Sequence, residues 1–519
     1  MILFPFISAV SVRPQHERFR RLAQTNRRSR FTRPRRIVTA GLSLALVAAI
    51  LILAVPSPRA SAAPPGVVQA WLDEVSASGV PAMAVVVTRG DHVEVEIGAG
   101  QIDGHPVDEH TPFRIASLSK SFTATAVMQL VEEERVNLDS PAKQYLPDLQ
   151  LKDERAETIT VRELLNQSSG LSDATLGFNQ YAVGPKSPRE AGALLSRSNL
   201  AFNPGSDWAY SNPNYWLCAW LIEEVTGMDL ANYLQREILG PLGMKETMSA
   251  TTSTQVQGVP GNAHAYGLPI QIDAPDFMVA GSGGMTSTAH DMGIWLRFQH
   301  GALPGGEAIL SSQMRDEMHR RQAPEDGLYA LGWWSGPPAD GGVERVSHSG
   351  VGAGTSAYQG LFPDEVGVAV MQASAAPDAY AVAAALYEWS SNGKLDGAPS
   401  VPGPGRDIII TLIALALLAL CARGISRSRR WATGVGMTRA AIVLGSGAVM
   451  STVMFSIPLW GSALLGRTAA WPVLFAGAPI PVIAILVVTV GLCLLTIVRL
   501  VYLLQDAAAY HRRTRPTLD

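Results

Sequence analysis

Ile37–Val55 (IVTAGLSLALVAAILILAV) is 19 residues without a charge, and a bilayer core of about 30 Å takes a helix of about 20 such residues. Three more apolar stretches lie near the other end: Ile408–Ala422, Ala440–Leu465 and Ile480–Val498. The first of these is short and draws on Gly424–Ile425 to reach across. No other feature constrains the chain as strongly, because in lipid only helices and closed barrels satisfy their own backbone groups. The spans also account for a positive mean hydropathy of +0.15.

Arginines orient the spans. Ten precede Ile37, five (423, 427, 429, 430 and 439) lie between the second and third spans, and Arg499, Arg512, Arg513 and Arg515 follow the fourth. The loop between the third and fourth spans holds only Arg467. The positive-inside rule then predicts a multi-pass protein of the cell membrane with residues 56–405 extracytoplasmic. The expected division is a basic cytoplasmic N-terminus (1–36), a transmembrane anchor or signal peptide (37–62), an exported domain (63–396), a Pro/Gly linker (397–407), three transmembrane helices (408–504) and a basic tail (505–519). Ala60-Ser61-Ala62 resembles a signal-peptidase site, so the first span is either retained or removed.

Residues 56–405 hold 40 Asp+Glu against 20 Lys+Arg, which excludes nucleic acid and anionic lipid as ligands drawn by charge. Cys421 and Cys493 fall in spans, leaving Cys218 without an intramolecular partner outside them. No histidine has metal-ligand spacing such as His-Glu-x-x-His, so neither metal nor cofactor is expected. The partners expected are a small acyl or peptide substrate and the lipid bilayer.

Within the exported part, AMAVVVTRG and HVEVEIGAG read as a β-hairpin. A mostly helical middle follows, and strands return in LYALGWWS, ERVSHSG, SAYQGLFP and VGVAVMQAS before a last helix at 378–390. Strands at both ends with helices between predict one sheet assembled from both termini, plus a helical lobe. The segment FRIASLSKSFTATAVMQL reads as a helix start in which Lys120 follows Ser117 by three residues and shares its face. A buried ammonium among Ala, Phe, Val and Leu is costly unless something uses it.

SLSK (Ser117–Lys120), YSN (Tyr210–Asn212) and HSG (His348–Gly350) occur in that order, with ITVRELLNQSSGL, ILGPLGMKET and GSGGMTSTAHDM among their surroundings. Together, over roughly Val67–Ser390, they resemble the serine β-lactamase and penicillin-binding protein family, particularly class C β-lactamases, D-alanyl-D-alanine carboxypeptidases and related esterases. The resemblance implies an α/β (α+β) β-lactamase/transpeptidase-like domain: an antiparallel sheet flanked by helices, with a helical lobe. It implies Ser117 as the acylated nucleophile, with Lys120 or Tyr210 as the base. In water roughly one Lys in 2,500 is neutral at pH 7, and burial raises that share. By the same resemblance Asn212 bonds the lysine and a substrate amide, and the N–H groups of Ser117 and Val351 form the oxyanion hole. His348 stands where lactamases usually have lysine, and a neutral imidazole holds a carboxylate less firmly. Gly350 is expected to let substrate lie along the strand edge.

The function expected is a membrane-bound serine hydrolase, a D,D-carboxypeptidase or esterase acting on peptidoglycan stem peptides or small esters and amides. The alternatives are a penicillin- or muropeptide-binding receptor relaying acylation through the C-terminal spans, and a catalytically inactive anchored module. Glu163 reads as a surface helix residue rather than a deacylating glutamate, and AGSGG around Ser282 as a tight turn near the site rather than an α/β-hydrolase elbow. For Trp333 and Trp334, core packing is favoured over a pocket wall.

Overall fold

The computed structural model describes residues 65–176, 185–273, 276–324, 327–337, 342–465 and 470–513. The Ile37–Val55 span, the basic N-terminus and Ala60-Ser61-Ala62 lie outside the described residues.

The strands are β1 (Ala82–Arg89), β2 (His92–Ile102), β3 (His105–Pro106), β4 (Phe113–Arg114), β5 (Met248–Ser249), β6 (Gly261–Ala265), β7 (Leu268–Ile272), β8 (Met285–Ser287), β9 (Trp334–Gly336), β10 (Arg345–Gly352), β11 (Thr355–Leu361) and β12 (Val366–Gln372). Seven form one antiparallel sheet in the order β3-β2-β1-β12-β11-β10-β9. β1 pairs with β12, Val86 opposite Ala369, so the two ends of the domain meet at the sheet's middle as expected.

The domain's main helices are α1 (Pro65–Ala77), α2 (Ser119–Glu132), α3 (Val161–Leu165), α4 (Asn212–Thr226), α5 (Ala289–Gln299) and α6 (Ala379–Asn392). Alternate residues of β1 serve different cores. Met83, Val85 and Val87 pack with α1 and α6, while Ala82, Ala84 and Val86 face α2 and α5. Covering both faces is why β1 is almost continuously apolar, a pattern usual in parallel sheets. On the α5 side, Trp295 stacks on Phe122 of α2 with ring centroids 3.7 Å apart. Residues Pro213–Ile222 of α4 are all buried, forming the heart of the helical lobe.

LYALGWWS was expected as one strand and is not. Only Trp334–Gly336 joins the sheet, and Tyr329 pairs back onto Trp334. Gly332 makes this turn with φ +83° and lies so close to α2 that a Cβ there would sit 2.8 Å from that of Ala124. The β6–β7 hairpin and the small β4-β8-β5 sheet had no expectation in the sequence.

Beyond the linker come α7 (Gly405–Ser426), α8 (Met437–Phe455), α9 (Ile457–Leu465), α10 (Trp471–Gly477) and α11 (Pro479–Arg513). Among the described residues, three helices are long and apolar enough to cross a membrane: Gly405–Ser426, Met437–Phe455 and Pro479–Tyr510. The expected span Ala440–Leu465 is divided at Ser456. Pro458 has no N–H for the carbonyl of residue 454, and its ring crowds that turn. α11 has 35 residues, about 50 Å, and runs well past the expected end at Val498. Small residues line the helix contacts: Gly424 faces Leu495, Gly447 faces Thr496, and Gly491 faces Leu418 and Cys421.

Trp295→Ala, removing the ring between α5 and α2, should destabilise the domain by about 3–5 kcal/mol. The midpoint of chemical unfolding of the full chain in detergent measures it.

Candidate active site

Ser117 sits in a single 3-10 turn, Ala116–Leu118, that runs directly into α2. Its neighbour Ala116 has φ +45°, a left-handed conformation costly for a residue with a Cβ. The turn is tied from both sides. Ser119 Oγ donates to the Ala116 carbonyl at 2.6 Å and accepts from Met285 N at 3.1 Å. Ile115 N donates to the Met285 carbonyl at 3.0 Å.

Lys120 points back from the first turn of α2 and has no exposed surface. Its Nζ lies 3.1 Å from Ser117 Oγ, 2.9 Å from Asn212 Oδ1 and 2.6 Å from the Ser282 carbonyl. It also lies over the Tyr210 ring, 4.9 Å from the centroid. Tyr210 Oη stands 3.0 Å from Ser117 Oγ. The hydroxyl and amine of the first motif and the phenol of the second therefore meet.

Gln167 places the second motif. It is fully buried, with φ +65°, in the loop after α3. Its carbonyl accepts from Ala209 N at 3.0 Å, and its Oε1 accepts from Ser211 N and Asn214 Nδ2 at 3.0 and 2.6 Å. Tyr210 is held between two of these bonds. Sequence reading missed Gln167, although it lies in the NQSS stretch that carries the family resemblance. The Ser282 carbonyl was also missed. The GSGG segment is a tight turn, with Gly281 at φ +72° and Ser282 N and Gly283 N both donating to the Val279 carbonyl, and this turn aims the carbonyl at Lys120.

His348 lies beside Tyr210, ring centroids 6.1 Å apart, but it is 1% exposed and does not face open solvent. Its Nδ1 is 2.8 Å from the Ser349 carbonyl, and its Nε2 is 2.9 Å from Tyr329 Oη. A carbonyl only accepts, so Nδ1 carries the proton and, in the neutral ring, Nε2 accepts from the phenol. Burial and the neighbouring Tyr210 hold the Tyr329 phenol well above its usual pKa, so it remains a donor. Both nitrogens of this buried imidazole are thus engaged within the fold.

At Gly350 a Cβ would lie 2.4 Å from the Ile115 carbonyl and 3.3 Å from the Ala116 Cβ. The missing side chain makes room for the Ser117 turn. Val351 next to it is 61% exposed, at the rim.

The two tryptophans divide. Trp333 is fully buried, whereas Trp334 is partly open, parallel to Tyr210 at 6.3 Å and edge-on to Trp208 at 5.5 Å. Glu163 caps α3: Thr160 Oγ1 accepts from Glu163 N at 3.2 Å, and Thr160 N donates back to Glu163 Oε2 at 2.8 Å.

The beta-lactamase family profile matches residues 68–392. The chain is similar to Protein flp of Staphylococcus aureus (strain N315), 26% identical over 280 residues that make up 52% of this chain and 55% of that protein. It thus spans about half the length of that curated relative. A protein of Salmonella agona (strain SL483), provisionally named a D-alanyl-D-alanine carboxypeptidase, is 24% identical over 311 residues, 51% of this chain and 70% of that one. Among solved structures, the D-amino acid amidase of Ochrobactrum anthropi SV3 in complex with D-phenylalanine superposes with a TM-score of 0.51 at 25% identity, covering 63% of this chain and 97% of the amidase.

Two substitutions test this geometry. Gly350→Ala should push the Ile115–Ala116 turn aside and slow covalent labelling of Ser117 by a fluorophosphonate about 100-fold. Tyr329→Phe leaves a buried imidazole nitrogen without its donor and should cost about 1–3 kcal/mol, read from denaturant unfolding.

Proposed function

The chain belongs to the beta-lactamase family, and from that premise we propose that it is a membrane-bound serine hydrolase working through an acyl-enzyme on Ser117. The observation that carries the reading is the contact of Ser117 Oγ with Lys120 Nζ at 3.1 Å and Tyr210 Oη at 3.0 Å. A serine hydroxyl attacks a carbonyl only when a neighbour takes its proton, and two candidate acceptors lie within hydrogen-bonding reach. In the proposed sequence Ser117 Oγ adds to the substrate carbonyl while its proton passes into the Lys120–Tyr210 pair. The N–H groups of Ser117 and Val351 receive the developing oxyanion. The same pair returns the proton to the leaving amine or alkoxide, and water then hydrolyses the ester.

The substrate class proposed is a peptide or amide with a D-configured residue at the scissile bond, first a peptidoglycan stem peptide ending in D-alanine. Similarity to the Ochrobactrum amidase and the Salmonella protein supports this choice. Trp334 and Trp208 offer an apolar wall beside Tyr210. The buried His348 supports a site that selects by shape more than by a cation at the third motif.

The proposed orientation places the hydrolase domain outside the cell. Support comes from Arg423, Arg427, Arg429 and Arg430, which lie at the end of α7 remote from that domain.

The full chain in detergent, offered D-Ala-D-Ala peptides, nitrophenyl esters and a fluorescent penicillin, should show turnover that Ser117→Ala abolishes. Lys120→Ala and Tyr210→Phe should each lower kcat about 100- to 10,000-fold. A long-lived adduct without turnover points to the receptor instead, and absence of labelling by every acyl donor to an inactive module. A reporter joined after Pro399 should be active only when exported.

A further inference from the structure

The β6–β7 hairpin is bonded to the domain through polar side chains of β6 and carries exposed apolar side chains on β7. Asn262 and His264 turn to the domain: Asn262 Nδ2 donates to the Ala373 carbonyl at 3.0 Å, and His264 Nε2 lies 2.9 Å from the Gly79 carbonyl. Cross-strand partners share a face. The pairs Ala263–Ile270 and Ala265–Leu268 therefore form the opposite face; its two alanines are buried, and on β7 Leu268 is 67% and Ile270 45% exposed.

The hairpin's tip is fastened to the first turns of α7. Tyr266 and Gly267, both with positive φ, form its two-residue turn. Tyr266 N donates to Asp407 Oδ2 at 2.8 Å, and the Tyr266 hydroxyl is 2.7 Å from Thr411 Oγ1. Asp407 is 3% exposed. Thr411 is six residues into α7, about 9 Å along its axis. By then that helix already shows lipid-type surface, with Ile408 46% and Ile409 60% exposed. The short helix α10 and the start of α11 pack against β6 at the same end. The hairpin's turn, directly followed by the exposed Leu268, is thus held at the level where a spanning helix enters the hydrocarbon. Tyrosine is enriched at that depth because its ring is apolar and its hydroxyl polar.

We infer that the β6–β7 hairpin is an interfacial foot, with Leu268 and Ile270 inserted among the headgroups and upper acyl chains of the bilayer. The inference rests on α7 crossing the membrane, part of the function proposed above. The acidic charge of the domain gives no attraction to anionic lipid, so the insertion is apolar and independent of salt. The foot also sets the height of the active site. Asn262 N donates to the Gly354 carbonyl at 2.7 Å, joining β6 to the β10–β11 turn, and Gly350 of β10 presses on the Ser117 turn.

The test labels Leu268→Cys with an NBD maleimide in the full chain, with Cys421 and Cys493 changed to Ala and the fully buried Cys218 retained. The protein is reconstituted in phosphatidylcholine–phosphatidylglycerol vesicles. Leu412→Cys on α7 reports the span, and the exposed Gln313→Cys reports the aqueous surface. The foot requires that the Leu268 label be quenched by lipid bearing a doxyl group high on its acyl chain. It also requires iodide quenching about twofold or more weaker than at Gln313, at low and high salt alike. Iodide quenching equal to that at Gln313, with Leu412 still quenched by doxyl lipid, overturns the foot and leaves the span standing. A Leu412 label open to iodide overturns both.

Discussion

The site is organised around one buried amine. Lys120 has no exposed surface, and three oxygens surround its amine: Ser117 Oγ from the preceding turn, and Asn212 Oδ1 and the Ser282 carbonyl from segments remote in sequence. As an ammonium, the group donates to all three. As a neutral amine it donates to Asn212 and Ser282 and accepts from the Ser117 hydroxyl. One geometry therefore serves both protonation states, so a proton can move between serine and lysine without reorganising the surroundings, the condition under which fixed dipoles help a reaction most.

Holding the serine in that place strains the backbone, and the surrounding structure compensates. Ala116 at φ +45° carries a cost of about 1–3 kcal/mol, offset by the Ser119 and Met285 hydrogen bonds and by a strand close enough to exclude any Cβ at residue 350. The third motif acts in the same way. With both nitrogens engaged, His348 braces the wall behind Tyr210, and Tyr329 locks its tautomer.

These contacts extend toward the membrane-type helices. β10 presses on the Ser117 turn, its hairpin turn is bonded to β6, and β6 leads to Tyr266 and Asp407. The linker takes part as well, since Gly79 packs against Val401 and Gly267 against Pro404. The domain is thus clasped to the start of α7 by specific contacts as well as by the chain itself.

Local features were legible in the sequence. The uncharged runs, the β1–β2 hairpin, the return of strands after residue 343 and the Ser117–Lys120 spacing all depend on neighbours within a few residues, and periodicity records them. LYALGWWS and Ala440–Leu465 were misread because a glycine pressed against α2 and a single proline broke otherwise regular patterns. Gln167, the Ser282 carbonyl and the tie between Tyr266 and α7 escaped the reading because each acts on a partner far away along the chain. What the sequence determined by itself was which chemical groups exist and which stretches are long and apolar enough to cross a bilayer. Only the tertiary structure decided that His348 faces inward, that Gly350 makes room for the Ser117 turn, and that Ser282, 162 residues from Lys120, completes its shell. Those outcomes depend on which surfaces press together, and no local pattern carries that information.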